Sequence, residues 1–295
     1  MIKKLFGRAD AEPKKSELTT EDLIVLERWD EAIAQLQSRL TANPNDLHAN
    51  LKLAEVYVQA GKPQLALDRF LFVAESYTDD GFYDKAIALL TKVVRLAPGE
   101  GSIEGQIRKA QQLKTMEHRS TLALEGLRAA QEARRPEARL SLIEAQRMWQ
   151  ALSTTEVALN LPGEQLRRLF AFSKLVEPDR GRILAEAGAA DEVLYLFGSG
   201  EGEAVYPLPG GGEPVLLRIF QCGDVIGDRA LFEHQPWPAT YRVTSPARLF
   251  RLDRVGLEQA LQGNPDPRQF LDALRARRSD YDVAASVRKL VSSSA

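Results

Sequence analysis

The stretch that decides the fold is Gly223–Thr240, GDVIGDRALFEHQPWPAT. Gly227 permits close backbone approach, and a helix starting just after it leaves N–H groups near Ala230 and Leu231 with no acceptor inside the helix. Such a start is a place for an anion. A carboxylate, Asp228, and a cation, Arg229, stand beside it, and Pro236-Trp237-Pro238-Ala239-Thr240 closes the stretch.

On either side the sequence reads as short strands: Arg182–Glu186, Val193–Phe197, Glu203–Leu208 and Val215–Phe220 before it, Tyr241–Thr244 and Leu249–Leu252 after it. Gly181, Gly188, Gly198, Gly200, Gly223 and Gly227 punctuate them, and evenly spaced strands with glycine turns predict a barrel or jelly roll. Gly210-Gly211-Gly212 lies in a Pro-rich connection that starts no helix, so it reads as a hairpin loop. Leu161-Pro162-Gly163-Glu164 begins a helix carrying Leu166, Leu169 and Phe170 ahead of the strands. Beyond them a helix spans Val255–Leu261 and ends at Gly263-Asn264-Pro265. Asp266-Pro267 then caps and opens another, with Phe270, Leu271 and Leu274.

Taken in order, Leu161-Pro162, Gly181, Gly188, Tyr195-Leu196-Phe197 with Ser199-Gly200, Gly223–Leu231 and Pro236–Thr240 resemble a cyclic-nucleotide-binding domain of the catabolite-activator and protein-kinase regulatory-subunit superfamily. The resemblance covers roughly Leu161 to Leu261. It implies that Gly223–Thr240 is a phosphate-binding cassette, with ligand-binding candidates Gly227, Asp228, Arg229, Ala230, Leu231, Trp237, Ala239 and Thr240. In that family a glutamate binds the ribose 2′-hydroxyl and an arginine pairs with the cyclic phosphate; here those positions are Asp228 and Trp237. Losing one member of a desolvated charge pair costs about 2–5 kcal/mol. Three readings follow: a degenerate domain used for protein contacts, which is preferred; a domain for another nucleotide, its base stacked on Trp237; and weak binding of the usual ligand. Arg229 and Arg242 are the candidate replacement cations.

Nearer the N-terminus, Ala54, Tyr57, Gly61 and Ala66 recur at the same spacing as Ala74, Tyr77, Gly81 and Ala86. Small residues let helices approach closely and the glycine ends the first helix in a left-handed conformation. Both sets resemble tetratricopeptide (TPR) repeats, and Ala32 with Pro44 matches the spacing of Ala86 with Pro98. Ala66 and Ala86 are too close for consecutive complete repeats, so one helix near Pro63–Thr78 is expected to serve two hairpins. Its stripe is Leu65, Ala66, Phe70, Val73, Ala74 and Tyr77; the next helix buries Ala86, Ile87, Leu90, Val93 and Val94. From Ile103 to Leu152 the pattern stays helical (Ile103, Ile107 and Ala110; Leu140, Ile143 and Met148), interrupted at Arg135 and Pro136. Arg128, Arg134, Arg135 and Arg139, diluted by Glu132 and Glu137, read as a solvated helix face.

The 295 residues carry 39 Lys+Arg against 41 Asp+Glu, so no global field draws the chain to nucleic acid or anionic lipid. Hydrophobic residues at 44% and charged residues at 27% are the balance of a folded globular protein. Without a long apolar run or the apolar core of a signal peptide, a cytoplasmic protein is expected. Cys222 is the lone cysteine and the histidines are His48, His118 and His234, which excludes a disulfide framework and makes a protein-only metal site improbable. Cys222 has no activating histidine at a family spacing and reads as a structural thiol. No P-loop, Gly-x-Ser-x-Gly or dinucleotide fingerprint is present.

The expected organisation is multidomain: a flexible basic tail over residues 1–19, an all-α TPR-like solenoid over 20–152, and an α+β cyclic-nucleotide-binding β-roll with flanking helices over 153–295. Ser153-Thr154-Thr155-Glu156, read as a capping box, marks the second start. In the tail, Lys3, Lys4, Arg8, Lys14 and Lys15 surround Ile2, Leu5 and Phe6. Fewer than about thirty residues after Pro267 are too few for a winged helix-turn-helix, so no DNA partner is expected. The resulting expectation is a non-enzymatic signalling adaptor, resembling bacterial regulatory adaptors, whose TPR groove holds a protein partner without stable membrane insertion. The C-terminal helices are a candidate homodimer contact. The alternative is a genuine sensor of cAMP, cGMP or a cyclic dinucleotide that regulates a separate enzyme; no other cofactor is called for.

Overall fold

Alanine sets the spacing of the N-terminal helices. Ala32, Ala54, Ala66, Ala74 and Ala86 are all fully buried, which removes side-chain bulk where the helix axes come closest. A computed structural model describes residues 18–98, 101–131, 139–208, 212–276 and 279–294. The expected tail up to Glu17, Gly210 and Gly211, and Glu132, Arg134, Arg135, Pro136 and Glu137 lie outside the described residues.

Helices α1 (Thr20–Val25), α2 (Trp29–Ala42), α3 (Leu47–Gln59), α4 (Pro63–Asp79) and α5 (Tyr83–Leu96) follow one another, each packed on the next. Gly61 and Gly81 close α3 and α4 at φ 71° and 80°. Just beyond them, Lys62 N–H donates to Tyr57 O (2.8 Å) and Phe82 N–H to Tyr77 O (2.7 Å). The repeated spacing is thus a repeated turn, and α4 is the helix shared between two hairpins. Its buried stripe is Ala66, Leu67, Phe70, Val73 and Ala74; Leu65, expected on that stripe, is exposed.

The chain divides into two compact units, Met1–Thr115 and Met116–Ala295, and the division falls within α6 (Gly101–Ala129). This differs from the boundary expected at Ser153. Helix α7 (Leu142–Leu152) buries Met148, Trp149 and Leu152 in the core of the second unit, with Leu166, Leu169 and Phe170. Ser153 caps no helix start. Its backbone is still right-handed helical (φ −59°, ψ −22°) and its hydroxyl donates to Gln150 O at 2.9 Å. A capping box does exist one helix earlier, at Ser141 and Glu144.

The second unit continues with α8 (Glu156–Asn160) and α9 (Gly163–Ala171), then two four-stranded antiparallel sheets. One has the order β1 (Lys174–Val176), β8 (Arg248–Asp253), β3 (Val193–Ser199), β6 (Val225–Ile226). The other has the order β2 (Ile183–Ala185), β7 (Thr240–Val243), β4 (Gly202–Tyr206), β5 (Val215–Phe220). Their inner faces enclose Tyr195, Phe197, Phe220, Trp237, Tyr241, Val243 and Leu249. Phe220 bridges the aromatic column, its ring centre 6.1 Å from Phe197 and 5.6 Å from Tyr241. A short helix, α10 (Asp228–Glu233), lies between β6 and β7, and α11 (Arg254–Leu261), α12 (Pro267–Arg275) and α13 (Ser279–Ser294) follow the sheets. Helix α13 reaches the inner core: Val283 is buried there, with Val287 packed against it. Among the described residues, no helix is long and apolar enough to cross a membrane, and no group of three or more His, Cys, Asp or Glu side chains is placed to hold a metal ion.

Candidate functional site

Gly227 opens α10 at φ 85°, ψ 11°. A Cβ at this position would lie 2.1 Å from Val193 O and 2.8 Å from the Trp237 ring, so glycine is required both by conformation and by space. Its N–H does not wait for a ligand. It donates to Asp280 Oδ2 on α13 at 2.6 Å.

Asp228 and Asp280 are both buried, and their carboxyls approach within hydrogen-bonding reach of each other. Burial, then the Asp280 charge, push the Asp228 carboxyl up to about 8. Burial also raises Asp280, against the pull of its donors, which include the Tyr241 hydroxyl at 2.8 Å and the Gly227 N–H. Tyr241 in turn is held well above the ordinary phenol value, by burial first and then by Asp280. Two adjacent carboxyls in a low-dielectric interior do not both ionise near neutrality, so the pair holds one proton. The backbone N–H of Arg229 faces both carboxyls.

The Arg229 guanidinium lies over the Tyr281 ring, 5.4 Å from its centre, with Nε 3.8 Å from Glu233. Ala230 and Leu231 are buried. The Leu231 N–H, expected to be free for an anion, donates to Gly227 O at 2.9 Å. Ala239 is buried, and Thr240 Oγ1 accepts the Ala187 N–H at 3.2 Å. Arg242, the other candidate cation, pairs with Glu203 directly across β4 and β7 at 2.6 Å.

Trp237 is 1% exposed. Its backbone is stitched to the turn between β2 and β3, donating to Ala189 O (2.9 Å) and accepting from Gly188 N–H (2.8 Å). That pairing turns the indole inward, where Nε1 donates to Asp191 O at 3.0 Å and the ring meets Tyr241 edge-on at 4.8 Å. The indole therefore offers no open face to a base, contrary to the stacking expectation. Gly227 lies against the Trp237 ring, and Gly227 and Asp228 meet the first turn of α13 through Asp280. Three of the surface clefts among the described residues of this unit are lined by residues other than the eight candidates.

Sequence reasoning missed Asp280, Asp191 and the part played by Tyr241. A signal for α13 was present in Val283 and Ala284 with Val287 four and three residues beyond them, just after Asp280. Cys222 is half-buried, its thiol donating to Gly198 O at 3.3 Å and raised by burial and Asp224.

Residues 176–264 match the family model of the cyclic nucleotide-binding domain, and residues 27–81 match that of the tetratricopeptide repeat. Among solved structures, the chain is similar to the N-terminal domain of a transcriptional regulator from Streptomyces coelicolor A3(2), with 26% identity and a TM-score of 0.39 over 43% of this chain and 91% of that one. The catabolite activator protein of Thermus thermophilus gives 21% identity and a TM-score of 0.39 over 47% of this chain and 63% of that one. The sensor domain of the transcriptional regulator DNR from Pseudomonas aeruginosa gives 25% and 0.37 over 45% and 87%. No curated protein matches the sequence. With the fold and both family matches in agreement, the chain joins a tetratricopeptide-type repeat segment to a domain of cyclic nucleotide-binding type.

Proposed function

We propose that this protein is a non-enzymatic cytoplasmic adaptor. Its TPR-type helices bind a protein partner, and its cyclic nucleotide-binding-type domain serves as a second docking or regulatory surface rather than as a cAMP sensor. Both domain types are regulatory or binding types, not catalytic ones.

The observation that carries this reading is the chemistry at the cassette. Where the resemblance calls for an arginine on the cyclic phosphate, this chain has the buried indole of Trp237, and the Gly227 N–H is already bound to the carboxylate of Asp280. A phosphate arriving there would meet two carboxyls carrying one proton between them, and like charge in a desolvated site is repulsive. The test is the thermal midpoint of the full chain with cAMP, cGMP and a cyclic dinucleotide, each at ~100 µM. Ligand at about a hundred times its Kd stabilises by about 2.7 kcal/mol, a shift of about 5–11 °C for a unit of this size. The expected result is no shift with any of the three. A reproducible shift that Asp228→Ala abolishes would make the domain a sensor.

A further inference from the structure

Helix α13 is held over the inner core by one buried polar contact and a small apolar stripe. The contact is Asp280, which accepts from Gly227 N–H (2.6 Å) and Tyr241 Oη–H (2.8 Å) and meets the Asp228 carboxyl. The stripe is Val283, Ala284 and Val287. We infer that a proton shared by Asp228 and Asp280 latches α13 against the roll, and that loss of this proton releases the helix. This deepens the proposed function and rests on it, since release would uncover the cassette, with the Gly227 N–H and the Tyr241 hydroxyl, as a surface for a partner.

Every charged or titratable group facing the latch bears on the direction of the switch. Helix α10 contributes Asp228, Arg229 and Glu233, β7 contributes Tyr241, and β5 contributes Arg218. On α13 itself, Tyr281 donates to Glu233, and Asp282 pairs with Arg218 at 2.7 Å. The Arg218–Asp282 pair is largely exposed on the Asp282 side, so it is screened and holds α13 weakly. The Arg229 guanidinium is engaged by the Tyr281 ring and Glu233. Loss of the shared proton leaves two buried carboxylates facing each other. Once α13 has lifted, both carboxyls are solvated and return toward the ordinary value of 3.8.

The closed form thus holds a proton that the open form lacks, and closure weakens as pH rises. The closed-to-open ratio falls about tenfold per pH unit between about pH 6 and 8, then levels off once the closed pair ionises in place. The experiment is amide hydrogen exchange of the full chain, read as protection factors for residues 283–290 after correction for intrinsic rates. Wild type is expected to lose protection about a hundredfold from pH ~6 to ~8, while the double variant Asp228→Asn/Asp280→Asn, which has no buried carboxyl left to lose a proton, stays flat. If the double variant does not fold, either single asparagine variant is expected to lose less protection than wild type over the same range, because the repulsion between the carboxylates is gone while burial still acts on the one that remains. Unchanged wild-type protection, or an equal loss in the asparagine variants, would overturn the latch while leaving the adaptor reading in place. Nucleotide binding at pH ~6 with the protection response intact would overturn the adaptor reading and leave the latch standing.

Discussion

Gly227 and Trp237 compete for one small volume, and the competition fixes both identities. A methyl group at residue 227 would enter the space of the indole and of Val193 O. Gly227→Ala should therefore destabilise the second unit by more than about 3 kcal/mol, since left-handed strain and overpacking add. Gly81→Ala is the control: φ is 80° there, but nothing lies within 4 Å of the added carbon, so strain alone, about 1–2 kcal/mol, should be lost. Urea unfolding followed for each unit measures both; equal costs would mean that the close approach at Gly227 is not a constraint. The sequence makes the glycine and the missing arginine visible, because both are departures or agreements at fixed spacings. It does not make the direction of Trp237 visible. That direction is set by hydrogen bonds to Gly188 and Ala189, nearly fifty residues away, and no local pattern encodes such a contact.

At the scale of the element, α7 depends on its capping box. Glu144 accepts from the Ser141 backbone N–H (2.9 Å), from its hydroxyl (2.9 Å), and from Arg248 (2.8 Å), which together hold its carboxyl down at about 2. A depressed carboxyl stabilises the fold above its unfolded value, and the contribution is lost as pH falls through the folded value. Glu144→Ala should accordingly be less stable than wild type at neutral pH, with the gap closing between pH 4.5 and about 2. A gap that persists unchanged at pH ~2 would show that the loss is packing and not charge. Six of the strands are readable from runs of strand formers between glycine turns, whereas β1, which follows closely on α9, and β6, two residues inside the cassette, have no such run of their own. The alanine and glycine spacing locates α4 and its shared role well, because TPR turns are local. The capping box sits at Ser141, not Ser153, because a Ser-x-x-Glu string is common and only backbone geometry distinguishes a start from an end.

For the molecule as a whole, the fragment of residues 116–295 is expected to fold alone, and residues 153–295 are not. The shorter piece loses Met148, Trp149 and Leu152 from its core. Burial of three such side chains contributes on the order of 5–9 kcal/mol, comparable to the roughly 5–15 kcal/mol that holds a domain together. Circular dichroism on the two fragments distinguishes the cases: a cooperative melt for the longer and none for the shorter. A cooperative melt for residues 153–295 would restore the boundary at Ser153. The central claim is that the cyclic nucleotide-binding-type domain does not sense cAMP, and calorimetric titration of cAMP into the full chain at pH ~7 tests it most directly. The account predicts no saturable heat up to ~100 µM ligand, because a carboxyl pair and a buried indole stand where a cation is needed. A saturating isotherm with a Kd near ~1 µM, equivalent to about 8 kcal/mol of binding, would contradict it.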